Sequence, residues 1–380
     1  MLKSKLSKIF EKSRNTEIRL LFVVFLIALF FRLYGIKHGF PLITHPDEPS
    51  VIRSALGLRF ELNPKHFDWP HMYFYINYIV FTLFIKFRGL LLLLFPEQTL
   101  NNIFPLLNRD PLVFYYISRV LTAIFGGLTI FPVYGAAKEL FNKKTAIFSA
   151  LVFALIPFHI RHSHYAFIDV PMTFWVAMSL YFSARIYNSP KLSNYIFAGL
   201  TIGFAASTKY NGGLLAFVVF LAHIFRIYRS NSTLGLGQKI LSFFGFNKGE
   251  KVFDLNELKL LLLSAVSAVI GFVLGTPYAL FDYSTFSRTD GPQGAYWQFT
   301  NVGKVPFIIQ LQQLFDGILF KLSDDLGYTF LIIFFLVLAL FIIKSLRNRK
   351  FFIDNLSLAL ILFPAVFILF YISGFEKARS

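Results

Sequence analysis

Residues 18–34, 112–137, 145–160, 165–187, 258–276, 326–344 and 356–373 are apolar stretches long enough, or nearly so, to cross a hydrocarbon core of about 30 Å. A further apolar block, 194–228, is broken by Lys209-Tyr210-Asn211-Gly212-Gly213 and reads as two short helices joined by a glycine turn. Together they predict nine spans. The rest of the composition leaves no soluble alternative: 56% of the 380 residues are hydrophobic, 15% are charged, and Phe alone occurs 50 times. Too few polar side chains remain to cover a globule in water. The chain is an all-α integral membrane protein.

Residues 71–95 are also long and apolar, but Lys86, Arg88 and Gly89 interrupt them, so this stretch either crosses or lies in the interface. Loop charge favours the interface. With the N-terminus cytoplasmic and 71–95 not crossing, the cytoplasmic segments hold 21 basic residues against 14 outside, whereas crossing reverses the balance. The same topology puts 13 of the 20 acidic residues outside, so the formal charge of +17 is a cytoplasmic surface charge rather than a nucleic-acid stripe. A mostly basic segment ahead of the first span, with no small-residue cleavage site after it, predicts an uncleaved signal anchor. The absence of Cys removes disulfides, thiolate nucleophiles and Cys-ligated zinc. The expected organisation is one membrane domain over 1–380, with a first outer loop at 35–111, a cytoplasmic loop at 230–256 and an outer loop at 277–325.

Chemistry is therefore sought on the outer face. In Thr44-His45-Pro46-Asp47-Glu48-Pro49 the two prolines restrict the backbone around an acidic pair and present it at a fixed place near the membrane surface. Asp47 could act there as a base or cap the short helix that starts near Pro49. The segment Arg161-His162-Ser163-His164-Tyr165-Ala166-Phe167-Ile168-Asp169-Val170-Pro171 forms a tight outer hairpin. Asp169 lies several residues into an apolar run, where a carboxylate costs on the order of 3 kcal/mol unless water or a partner reaches it. It is either a functional group or an N-cap assisted by Pro171. His159, His162 and His164 match no zinc spacing and read as solvated interfacial residues. Lys209 either snorkels or meets an anion. Arg119, inside a span, needs a carboxylate or phosphate partner. Tyr278, Asp282, Tyr283, Trp297 and Gln298 in the outer loop suit sugar binding and equally suit an aromatic belt.

Carboxylates, cations and aromatic groups beside a helix in the interface suit a reaction between a lipid-borne anionic donor and an acceptor arriving from outside. A lipid phosphate is already a competent leaving group once cations screen it. One general base then suffices to deprotonate the acceptor. No organic cofactor is required, and assistance from a divalent metal stays open.

An Asp-Glu in the first outer loop, an interfacial helix after it, the Arg161–Pro171 hairpin and the Thr208-Lys209-Tyr210-Asn211-Gly212 turn resemble, in that order, the polyprenyl-phosphate-sugar-dependent glycosyltransferases of the GT-C superfamily. The nearest group is that of the protein O-mannosyltransferases and lipid A aminoarabinose transferases, and the similarity runs from residue 18 to about 283. The resemblance implies a GT-C fold and inverting transfer from a polyprenyl-phosphate sugar to a protein, lipid or glycan acceptor at the outer face of the cell membrane. Asp47 would be the base, with Glu48 beside it and Asp169 orienting substrate. Arg161, His164, Lys209, Tyr210, His71 and Arg119 would bind substrate. Many relatives begin the interfacial helix with Lys-Pro-Pro, whereas this chain has Trp69-Pro70-His71, so His71 would have to replace the phosphate-binding lysine. Relatives also continue past a segment like Gly374–Arg379, which predicts a chain truncated at its C-terminus. The competing reading is a lipid-carrier transporter or flippase that binds the same head group without chemistry. Such a protein should line a mid-membrane path with ionisable groups and repeat its halves. Here those groups collect at one face.

Overall fold

The computed structural model describes residues 2–103, 105, 111–230, 255–301, 303–323 and 327–374. Most of the cytoplasmic loop expected at 230–256 lies outside the described residues. Among those described, the chain is helical, and it divides into two compact units, residues 1–64 with 71–177 and residues 65–70 with 178–380.

The first unit begins with α1 (Leu2–Leu33), which contains the expected anchor span, and continues through α2 (Glu48–Gly57), α3 (Met72–Leu94) and α4 (Glu97–Ile103). Then come α5 (Leu112–Leu128), α6 (Ile130–Leu140), α7 (Lys143–Leu155), α8 (Pro157–His162) and the start of α9 (Asp169–Asn188). Alanines at 146, 150 and 154, at intervals of four residues, form a stripe on α7 small enough to pack closely with Val24 and Ala28 of α1 and with Ile130 and Tyr134 of α6. A second core lies under the outer loop. There Ile52 and Ala55 of α2 bury against Phe81 of α3, Val113, Phe114 and Tyr115 of α5, and Ala166 of the hairpin.

Lys86, Arg88 and Gly89 do not interrupt α3, a continuous helix whose 23 residues are by length and composition apolar enough to cross a bilayer. Lys and Arg are good helix formers whose stems lie along apolar surface, and Arg88 reaches Glu97 at the start of α4, 3.3 Å away. Six described helices meet that standard of length and apolarity. α7, with 13 residues, ends short of the apolar stretch expected at 145–160, whose last residues fall in α8.

In the second unit, the block 194–228 forms the expected pair of short helices. α10 (Leu192–Thr208) passes through a tight turn at Tyr210–Leu214 into α11 (Leu215–Ser230). α12 (Leu255–Gly275) packs on α10 with almost no side chain between them. Gly199 and Gly203, four residues apart, place bare Cα atoms against backbone. A Cβ on Gly199 would lie 2.1 Å from the Ser264 carbonyl oxygen, and one on Gly203 would lie 2.2 Å from that of Ala268. In lipid, where burial of apolar surface does not drive helices together, such close approach supplies the van der Waals contact. Phe67, contributed by the short segment 65–70, packs with Ala279, Ala295, Tyr210, Phe272 and Phe286 in the same unit.

Gly203→Val therefore forces α10 and α12 apart. It should destabilise the protein by about 1–3 kcal/mol, the usual range for overpacking. Gly89→Ala, where an added Cβ meets nothing within 4 Å, should leave stability unchanged or slightly raised. Thermal unfolding of the two variants in detergent measures the difference.

Candidate active site

The first turn of α2 places two adjacent carboxylates in opposite surroundings. Glu48 is fully buried and forms a two-pronged pair with Arg119 of α5: Nε donates to Oε1 and Nη2 to Oε2, both at 2.7 Å. Arg119 is equally enclosed. Its Nη1 donates to the carbonyls of Ile36 (3.1 Å) and His38 (2.8 Å), and its guanidinium lies over the Phe40 ring at 4.5 Å. Glu48 Oε1 also accepts the backbone N–H of Ala166 at 2.7 Å. Gly39, at φ +80°, permits the turn just after His38 that this arrangement needs.

These contacts correct two sequence-based assignments. Glu48, expected beside the base in catalysis, and Arg119, expected to bind substrate, have no exposed surface and spend their polar atoms on each other and on backbone. Arg119 does have the carboxylate partner that its place in a span demands.

Asp47 is different. It occupies the N-cap position of α2 but makes no side-chain capping bond, and its half-buried carboxylate has no partner among the described residues. The capping alternative is thereby removed. Its backbone N–H donates to Nδ1 of His45 at 3.2 Å. The His45 ring packs against Tyr165 (4.8 Å between centroids) and Phe167 (5.1 Å) of the hairpin. The Asp47 loop and the hairpin that leads into Asp169 are thus joined twice, through His45 and through Glu48 to Ala166. Asp169 is the first residue of α9 and is half-buried.

Other expected site residues fall in several places. Within the first unit, His164 Nε2 donates to the Phe31 carbonyl at 3.1 Å, and its ring lies 5.8 Å from that of His38. Arg161 is exposed, with its guanidinium over Phe158. His71 is buried at the N-cap of α3, beside Phe74 and Tyr75. Lys209 and Tyr210 belong to the second unit. Lys209 ends α10, and the Tyr210 hydroxyl donates to the Phe67 carbonyl at 2.7 Å.

Arg32 was legible in the sequence only as a charge within a span. It is fully buried, and its guanidinium donates to the carbonyls of Ala28, Ala154 and Phe153 and to Nδ1 of His159. A cation at the carbonyl end of α7 complements that helix dipole and pins the base of the hairpin to α1. His45 was also missed. Its position two residues before Asp47 was the available signal.

The comparisons with known proteins bear on this arrangement. Residues 116–244 match the family model described as dolichyl-phosphate-mannose-protein mannosyltransferase. The dolichyl-phosphate-mannose–protein mannosyltransferase 1 of Saccharomyces cerevisiae is 25% identical over 193 residues, 49% of this chain and 20% of that protein. Among solved structures, the oligosaccharyltransferase of Archaeoglobus fulgidus in complex with zinc and sulfate superposes with a TM-score of 0.50 at 18% identity. The match covers 93% of this chain and 47% of that one. The same archaeal enzyme, bound to an inhibitory peptide and a dolichol-phosphate, gives 0.52 at 16% identity, covering 96% and 48%. The fold is GT-C. The chain, a multi-pass membrane protein, spans about half the length of those solved structures and a fifth of the yeast protein. No group of three or more His, Asp or Glu side chains able to hold a metal occurs among its described residues.

His38 and His164 carry a pH signature. Burial first, and then the charge of Arg119, pull His38 below the ordinary imidazole value, and burial does the same for His164. The unfolded chain therefore takes up these protons at higher pH than the native one. Stability is complete above about pH 6.5 and falls as the pH drops through that value. The thermal midpoint in detergent should fall between pH 7 and 5, and the double variant His38→Phe/His164→Phe should flatten that decline.

Proposed function

We propose that the chain carries the catalytic centre of an inverting glycosyltransferase, which moves a sugar from a polyprenyl-phosphate donor to an acceptor on the non-cytoplasmic face of the membrane. The observation that carries this reading is the half-buried carboxylate of Asp47, without a partner among the described residues and held at a fixed place by the enclosed Glu48–Arg119 pair beneath it. The match to a mannosyltransferase family model and the likeness to a fold solved with dolichol-phosphate support the donor class, and favour transfer over transport of the lipid.

In this mechanism Asp47 accepts the proton of the acceptor hydroxyl or amine as the heteroatom attacks the anomeric carbon. The bond from that carbon to the phosphate oxygen breaks, and the electron pair leaves with the polyprenyl phosphate. A single displacement inverts the anomeric centre. Because the phosphate leaves without protonation, one base is enough, and the paired carboxylates of glycosidases have no counterpart here. Asp169, beside the hairpin that Glu48 holds, orients the acceptor or sugar. Arg161 and His164, on the same hairpin, are the groups of the first unit available to the donor phosphate and sugar. Glu48 and Arg119 position the base and do not touch substrate. The N-terminus is cytoplasmic in this account, as the loop charges require.

The test is transfer of radiolabel from a polyprenyl-phosphate sugar to peptide, lipid or glycan acceptors by the purified protein in lipid. A positioned base contributes about 10²- to 10⁴-fold, so Asp47→Asn should lose turnover by that factor at normal expression. Undiminished transfer by Asp47→Asn removes it as the base.

A further inference from the structure

We propose that His45 is a positioning residue for Asp47, an assignment that rests on the reading of Asp47 as the base. The argument begins with a donor that has no choice. A backbone N–H can only donate, so the 3.2 Å contact from the Asp47 amide requires His45 Nδ1 to offer its lone pair.

That ring is fixed from outside its own loop. Tyr165 and Phe167 pack against it at 4.8 and 5.1 Å, with interplanar angles of 46° and 36°. Tyr165 is backed in turn by the His38 ring at 5.0 Å. The His45 carbonyl accepts the N–H of Glu48 at 3.3 Å, so one residue holds two successive amides at the start of α2 across Pro46, which has no N–H of its own.

The usual arrangement at a helix start is a capping box, in which a side chain at the third helical position takes the N-cap amide and the N-cap side chain bonds back into the helix. Here His45 takes that amide from upstream, and the Asp47 side chain makes no capping bond. The carboxylate is left available, while its backbone is tied to the hairpin that leads to Asp169. His45 thus sets the direction of the base relative to the hairpin without contacting the reacting atoms.

Two variants separate the acceptor from the ring. His45→Phe keeps an aromatic face for Tyr165 and Phe167 but offers nothing to the Asp47 amide. His45→Asn places a carboxamide oxygen where Nδ1 accepts. Hydrogen exchange over residues 44–50 is measured on the full chain in lipid nanodiscs, and kcat and KM are measured with the radiolabelled polyprenyl-phosphate sugar. The expected result for His45→Phe is faster exchange in that segment and a kcat lower by roughly 10- to 100-fold, the scale of a misplacement of about 1 Å. Its KM for the donor should stay within about twofold, and His45→Asn should recover most of both losses.

Unchanged exchange in His45→Phe overturns the assignment whether or not transfer is measurable. A His45→Phe protein with wild-type kcat, beside an inactive Asp47→Asn, overturns it while leaving the function standing. A His45→Asn protein as impaired as His45→Phe also overturns it, because the acceptor would then not be what matters. Full activity of Asp47→Asn strikes the functional reading instead.

Discussion

A carboxylate and a guanidinium sealed together inside a membrane protein are costly to desolvate, and they persist only when nearly every donor and acceptor is satisfied. Glu48 and Arg119 meet that condition. Their two parallel hydrogen bonds, the carbonyls of Ile36 and His38, the amide of Ala166 and the face of Phe40 leave little of either group unspent. Four separate stretches of chain converge on this one pair: the turn after α1, the start of α2, the middle of α5 and the outer hairpin. Because a broken pair would strand a buried charge, at about 3–5 kcal/mol, the geometry of the outer face is bound to the stability of the first unit.

The consequence is a division of labour between neighbours. Helical backbone turns Glu48 inward and leaves Asp47 at the N-cap, half-exposed and without a partner among the described residues. One carboxylate holds the frame, and the other is left free for chemistry. A base resting on a satisfied buried pair cannot wander, and such pre-organisation is what positioned catalysis requires. Arg32 serves the same end lower in the unit, holding the carbonyl end of α7 and His159, from which the hairpin departs.

Much of this could be read from the residues. Apolar runs located most helices, and the Lys209–Gly213 interruption marked the turn between α10 and α11. The cost of a lone Arg in a span demanded a partner for Arg119. What could not be read was which of two adjacent acids supplies that partner, because the deciding contact joins residues 71 positions apart and burial is a property of the assembled unit. His45 escaped notice for a similar reason. An imidazole two residues from an Asp acquires a role only once Tyr165 and Phe167 fix its ring. α3 shows that an interruption in polarity need not interrupt a helix, since Lys86, Arg88 and Gly89 sit within its continuous 23 residues.

The division between the two acids can be measured directly by following thermal stability and sugar transfer on the same purified preparations of Asp47→Asn and Glu48→Gln. The account requires Asp47→Asn to unfold like the wild type while losing transfer, and Glu48→Gln to unfold at markedly lower temperature. A Glu48→Gln protein of wild-type stability that has lost transfer, beside an Asp47→Asn protein that retains it, would contradict the account.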